Sequence, residues 1–219
     1  MSASSCLNAL VPDFAIEAEY FLKGCKYIAG VDEAGRGSLA GPLSIGLVIY
    51  DSSLFLNPPE DISFLINDSK KLTHKKRTEA LTCINSYALE KCYTFVPHPV
   101  IDKYNINIAT MIGIKKLLNM VSFSPDLIIM DGNFKFQLDI PYASILKGDS
   151  LSLSIASASI VAKVNRDAIM DRLDLKFPNY GFNSNKGYGT KKHIESIKKW
   201  GISPVHRMTY EPVRSMFLK

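Results

Sequence analysis

The chain has 219 residues and a mass of 24.3 kDa, which is one domain's worth of sequence. Hydrophobic residues make up 47% and charged residues 21%, a globular balance that excludes global disorder, collagen-like, coiled-coil and disulfide-scaffold classes. The net charge of +5 is unevenly placed: residues 186–219 carry +6 and residues 1–185 carry −1. A basic end on a near-neutral body suits a polyanion, although a merely solvated helix face has the same composition.

No run approaches the ~18 apolar residues of a membrane span, and Asp13, Glu17 and Glu19 precede Lys23, the first lysine. No membrane association and no targeting peptide are therefore expected. Cys6, Cys25, Cys83 and Cys92 are scattered without a CxxC pair, which suits a reducing, cytoplasmic setting. The four histidines show no zinc-ligand spacing.

In chain order, residues 14–23 read as a short helix packing Phe14, Ile16, Tyr20 and Phe21. Residues 27–32 and 43–50 read as strands, joined by the glycine-rich segment AGRGSLAGP at 34–42. Residues 73–90 are helical by period, with Thr73 as N-cap, and 92–96 form a strand closed by Pro97 and Pro99. Helical spacing over 108–120 puts Met111, Ile112, Leu117 and Leu118 on an apolar side. The apolar run 127–130 is a strand ending at Asp131, and 134–140 and 142–146 are two further strand candidates around Pro141. A long helix lies within 150–175; its all-small middle, Ala156-Ser157-Ala158-Ser159, predicts close burial against a sheet. Residues 178–189 form a turn-rich loop, and 190–200 a basic helix stopped by Gly201 and Pro204. Strands mixed with helices make the fold α/β.

Three predicted strands are followed by acids: Asp32-Glu33, Asp131 and Asp149. Open α/β sheets place chemistry at the carboxyl ends of their strands, so neighbouring strands would bring four carboxylates together. Such a cluster needs a counter-cation, and hard oxygen donors select Mg²⁺ or Mn²⁺ rather than zinc. Two such ions about 4 Å apart would activate a water and stabilise a leaving oxygen in phosphodiester hydrolysis. Taken singly, each Asp is better explained as a turn residue, but two adjacent charges at a glycine-flanked strand end have no packing purpose. Gly35-x-Gly37-x-x-Ala40 loosely matches a dinucleotide fingerprint, but Pro42 would break the helix that fingerprint requires, and no P-loop is present.

The segment YIAGVDEAGRGSLAGP at 27–42 resembles the signature of type 2 ribonuclease H (ribonuclease HII). The resemblance continues through Asp68-Ser69-Lys70-Lys71-Leu72, Asp131-Gly132-Asn133, Lys147-Gly148-Asp149-Ser150, the block 158–167, Lys186-Gly187-Tyr188-Gly189-Thr190 and Ser203-Pro204-x-His206-Arg207. It implies a ribonuclease H-like core over 1–185, a mixed sheet flanked by helices, with a small basic helical C-terminal extension over 186–219. It also implies that Asp32, Glu33, Asp131 and Asp149 are the catalytic metal-binding acids. Gly35, Arg36 and Gly37 would read the ribonucleotide 2′-hydroxyl through their backbone, the group that separates RNA from DNA. Tyr188 would stack on the sugar of the following deoxynucleotide, and Ser69 and Lys70 would contact phosphate. Lys71, Lys147 and Lys163 lie in matched blocks without a firm role, and His206-Arg207 is read as a brace for the extension. Met208-Thr209-Tyr210 departs from the family, which usually carries a second basic residue there. The related type 3 enzyme usually differs at the central position of the glycine motif and adds an N-terminal domain, so type 2 is the expected match.

The resulting expectation is a monomeric, cytoplasmic, Mg²⁺- or Mn²⁺-dependent endonuclease. It would hydrolyse the phosphodiester 5′ to a ribonucleotide in RNA–DNA hybrids or in duplex DNA, leaving 5′-phosphate and 3′-hydroxyl ends. A nucleic-acid-binding module without catalysis is the main rival, and a dinucleotide-dependent enzyme the second.

Overall fold

The computed structural model describes residues 11–59, 62, 66 and 73–218. Five strands form one sheet in the order β3-β2-β1-β4-β5: β1 Ile28–Ala34, β2 Leu43–Tyr50, β3 Ala88–Val96, β4 Leu127–Asp131 and β5 Tyr142–Ile145. The first three strands are antiparallel neighbours, whereas β4 runs parallel to β1 and β5 parallel to β4. The helices are α1 Ala15–Leu22, α2 His74–Tyr87, α3 His98–Leu118, α4 Leu153–Lys176, α5 Phe182–Asn185, α6 Lys191–Trp200 and α7 Val213–Phe217. This is the expected mixed sheet flanked by helices.

The pleat of β1 sends alternate residues to opposite faces of the sheet. Ile28 packs with α4, α1 and α2 in one apolar cluster, and Ala29 and Val31 pack with α3 in the other. Helix α4 lies very close to the sheet. A Cβ on Gly30 would fall 2.2 Å from the Ser154 carbonyl carbon, and one on Gly46 2.3 Å from the Ala158 carbonyl oxygen. Glycine on the strands and small residues on the helix meet there, as the small-residue run predicts. A third cluster joins the C-terminal helices to the core through Leu39, Ala40, Met170, Phe182, Ile197 and Val213.

The structure corrects several element boundaries. Helix α2 keeps its Thr73 cap, whose hydroxyl accepts from Lys76 N at 3.3 Å, but 88–90 belong to β3. Helix α3 begins at His98, since Pro99 falls in its first turn, where a missing N–H costs nothing. It is broken at Asn105 (φ +69°). Its buried face is Ile101, Ala109, Thr110, Gly113, Ile114 and Leu117; Ile112 is exposed, because Gly113 lets the helix descend onto Ile45. Residues 134–140 are not a strand. Their backbone bonds to side chains of β5 instead of its backbone: Phe134 N donates to Ser144 Oγ at 3.2 Å and Phe136 N to Tyr142 Oη at 2.7 Å. No helix among the described residues is long and apolar enough to cross a membrane.

Candidate active site

Parallel strands β1 and β4 end at the same edge of the sheet, with Val31 beside Met130. The next residue on each strand is an aspartate, and both follow the parity of the α4 face. Asp149 reaches the same point from a single 3₁₀ turn, Gly148–Ser150, between β5 and α4. Oxygens of Asp32, Asp131 and Asp149 lie within 4.8 Å of one another, and Asp32 and Asp149 are buried.

Local bonds hold this arrangement. Asp131 Oδ1 accepts from Gly148 N at 2.7 Å, which ties the end of β4 to the Asp149 turn. Lys147 takes a left-handed conformation (φ +57°) to enter that turn. Behind it, the Glu17 carboxylate accepts from Ser152 Oγ at 2.6 Å and Ser154 N at 2.9 Å, binding α1 to the start of α4. Asp32 Oδ1 accepts from Glu33 N at 2.7 Å.

Burial, and then the carboxylates of Glu33 and Asp131, push the Asp32 carboxyl well above the ordinary range; a bond from Ser159 opposes them only in part. The cavity beside these acids is also lined by the cations Arg36, Arg77 and Lys163. Three carboxylates whose oxygens come this close offer the hard donors that fit a divalent cation of the Mg²⁺ or Mn²⁺ kind.

Glu33 stands outside the three-aspartate group. It follows Ala29 and Val31 to the α3 face, where Arg36 Nη1 lies 3.6 Å from its Oε1. Sequence adjacency to Asp32 is what separates the two, because neighbouring strand residues point to opposite faces. Both nonetheless line one cavity of about 660 Å³ with Gly35, Arg36, Gly37, Asp131, Ser159, Lys163 and Tyr188.

Gly35 has φ +90° and no room for a Cβ, which would meet Arg166 Nε at 1.9 Å; among the described residues, nothing beyond its chain neighbours lies within 4 Å of a Cβ on Gly37. The Arg36 side chain, beside Glu33, reaches to α3, with Nη2 donating to Asn107 Oδ1 and Nη1 to Thr110 Oγ1 at 3.4 Å, and its guanidinium lies 5.1 Å from the Phe134 ring. Lys163 faces the cavity while paired to Asp167 at 2.8 Å. Ser69 and Lys70, with Lys71, lie outside the described residues.

Two buried arginines, Arg166 and Arg207, hold the loops around the cavity. Arg166 donates to the carbonyls of Pro42 (3.1 Å), Lys186 (2.8 Å) and Ala40 (3.3 Å), and its guanidinium sits 5.5 Å from the Tyr188 ring. Arg207 donates to the carbonyls of Gly41 (3.2 Å) and Arg36 (2.9 Å). The glycine motif and the Tyr188 loop are thus built as one piece. Arg166 is signalled in the sequence only by its place in a matched block, whereas Arg207 is read with His206 as a brace for the extension.

The family model for ribonuclease HII matches residues 29–213. The chain belongs to the ribonuclease HII family. It is 44% identical over 194 residues to ribonuclease HII of Clostridioides difficile, covering 89% of this chain and 73% of that one. To ribonuclease HII of Acholeplasma laidlawii it is 42% identical over 209 residues, covering 94% and 98%. Among solved structures, ribonuclease H2 from Pyrococcus horikoshii superposes with a TM-score of 0.72 at 26% identity, over 87% of this chain and 96% of that one. A ribonuclease HIII crystallised with Mn²⁺ shares the fold at a TM-score of 0.65 and 17% identity, over 92% and 72% of the two chains. As a ribonuclease HII, the protein is a divalent-metal-dependent endoribonuclease acting on RNA–DNA hybrids.

Proposed function

We propose that this ribonuclease HII cleaves the phosphodiester on the 5′ side of a ribonucleotide, both in hybrids and where single ribonucleotides are embedded in duplex DNA. The observation that carries the reading is the group of Asp32, Asp131 and Asp149, closed to within 4.8 Å, of which Asp32 and Asp131 line one cavity with Gly37 and Tyr188.

Asp32 and Asp131 would share two Mg²⁺ or Mn²⁺ ions, with Asp149 completing one site and Glu33, from the wall of the same cavity, the other. Bound there, the ions supply an activated water and neutralise charge on the leaving oxygen, giving 5′-phosphate and 3′-hydroxyl ends. The chain's own groups orient and discriminate. The open backbone at Gly37, beside Gly35 and Arg36, lets a ribose approach without meeting a Cβ, so the 2′-hydroxyl can be read by main-chain groups. Tyr188, 40% exposed above the Arg166 guanidinium, offers its ring to the sugar of the next deoxynucleotide. Ser69 and Lys70, together with the basic 186–219 segment, supply sequence-independent phosphate contacts.

The test is a nicking assay on duplex DNA bearing one ribonucleotide, run with Mg²⁺, with Mn²⁺ and with EDTA, with Asp32→Asn as control. A metal-dependent nick immediately 5′ to the ribonucleotide, lost in the variant, is expected. A duplex that is bound but never cut in either metal would favour the binding-module alternative.

A further inference from the structure

His193 and His206 are buried, touch none of the acids, and have no part in the chemistry above. Their ring nitrogens form a chain with one consistent direction. Ser203 N, which can only donate, points at His206 Nδ1 at 3.0 Å, and Ser203 Oγ lies 2.7 Å from the same atom. The Ser203 carbonyl is farther away, at 3.3 Å, and already accepts from His206 N at 3.1 Å. Nδ1 of His206 is therefore the acceptor, and in a neutral ring its hydrogen must sit on Nε2.

That nitrogen is 3.1 Å from His193 Nε2, which must then accept. The remaining His193 hydrogen is on Nδ1, 2.8 Å from the carbonyl oxygen of Tyr188, a group that can only accept. Thr190 N donates to the same carbonyl at 2.8 Å, so both its lone pairs are engaged. Reversing any link would set two donors or two acceptors against each other.

The chain ends at the residue that the proposed function uses to test the sugar. On the other side of the loop, Leu39 N and Ala40 N donate to the Gly187 carbonyl at 2.8 and 3.3 Å. The rings are packed edge-on by neighbours: Phe182 stands at 87° to His193, and Tyr180 at 63° to His206. Neither imidazole can rotate freely to exchange one partner for another. Burial also lowers the proton affinity of both rings, which keeps them in the neutral form this chain of bonds requires.

We propose that His193 and His206 are positioning residues: a tautomer-locked pair that fixes the Tyr188 backbone and thereby sets the enzyme's preference for a ribonucleotide followed by a deoxynucleotide. This rests on the proposed role of Tyr188. His206 selects the tautomer, and His193 delivers the donor.

The test uses the intact protein and two readouts. Long-range ¹H–¹⁵N correlation spectra at neutral pH assign the tautomers without any substrate; His193 is expected as the Nδ1–H form and His206 as the Nε2–H form. The opposite assignment for His193 overturns the proposal whatever the enzyme cuts. The second readout is the ratio of kcat/KM on a duplex with one ribonucleotide to that on a uniform hybrid. His193→Gln keeps a group near Nε2 but loses the donor to Tyr188, and should lower the ratio roughly three- to tenfold, the worth of one hydrogen bond. His193→Asn places an amide N–H where Nδ1–H stood and should restore the ratio. Tyr188→Ala should lower it too, and combining it with His193→Gln should add nothing further.

If Tyr188→Ala lowers the ratio and His193→Gln does not, the positioning role is wrong and the reading of Tyr188 stands. If neither variant moves it, both fall. Thermal unfolding establishes that each variant is folded, and should His193→Gln fail to fold, the tautomer assignment of the unaltered protein decides.

Discussion

Replacing Asp32 by Asn is expected to abolish cleavage and, in the absence of metal, to make the protein more stable. Asp32 is buried beside Asp131 and Asp149, with oxygens no more than 4.8 Å apart, and Glu33 adds to the charge it feels. Two unit charges at that distance repel by roughly 3 kcal/mol at an effective dielectric near 20. Asp131 is only half-buried and relaxation is available, so a net gain of about 1.5 kcal/mol on neutralising Asp32 is reasonable. Asn keeps an oxygen for Glu33 N and gains N–H donors toward the remaining carboxylates. For a chain of this size, that gain raises Tm by about 3–6 °C. The assay is thermal unfolding at pH 7.5 in EDTA and then in millimolar Mg²⁺ or Mn²⁺, beside the nicking assay. Metal should raise Tm of the unaltered protein by mass action and move the variant much less. The gap in EDTA should also close as pH falls, because protonating Asp32 from its raised pKa does what the substitution does. An Asp32→Asn protein that melts at or below the unaltered one in EDTA, or that metal stabilises equally, would refute the electrostatic account of the site.

Four further outcomes follow from the geometry. The His206 ring is pushed down to about 4 from its ordinary 6.5 by burial and by His193, so its neutral form stabilises the fold above pH 6.5. That stabilisation, roughly 3 kcal/mol, is lost as pH falls from 6.5 to 4, and urea unfolding across this range should show a shallower slope in His206→Gln. Gly37→Ala should leave Tm within about 1 °C and depress cleavage of ribonucleotide-containing duplexes, since beyond its chain neighbours no atom of the described residues lies within 4 Å of the new methyl. Gly30→Ala should instead cost about 3 kcal/mol or more in urea unfolding, because the added carbon meets the α4 backbone at 2.2 Å. Arg166→Met removes donors from three loop carbonyls; a loss of about 3 kcal/mol with a lowered kcat is expected, and an unchanged melting curve would contradict its role as a strut.

The sequence by itself was enough for the strands that are apolar on both faces, such as 43–50, and for helix α2, whose cap Thr73 accepts at its start. These features are local: side-chain period, cap chemistry and turn residues act within a few positions of themselves. It also marked Asp32, Asp131 and Asp149, because acids recur after three predicted strands and one of them is an adjacent pair that turn chemistry does not explain, and it foresaw the small residues of α4 that admit Gly30 and Gly46.

Only the tertiary structure decided which acids meet. The parallel pairing of β1 with β4 sets Asp32 and Asp131 side by side, while the pleat that joins them sends Glu33 to the other face, toward Arg36. Likewise, nothing within the stretch 134–140 says that its backbone will bond to Ser144 and Tyr142 side chains rather than pair as a strand. The His193–His206 pair, 13 residues apart, depends on the C-terminal segment folding back to Leu39 and Ala40, where Arg207 N donates to the Leu39 carbonyl at 2.8 Å. Long-range partners of this kind are chosen by how elements pack, and packing is a property of the whole chain that no local window contains.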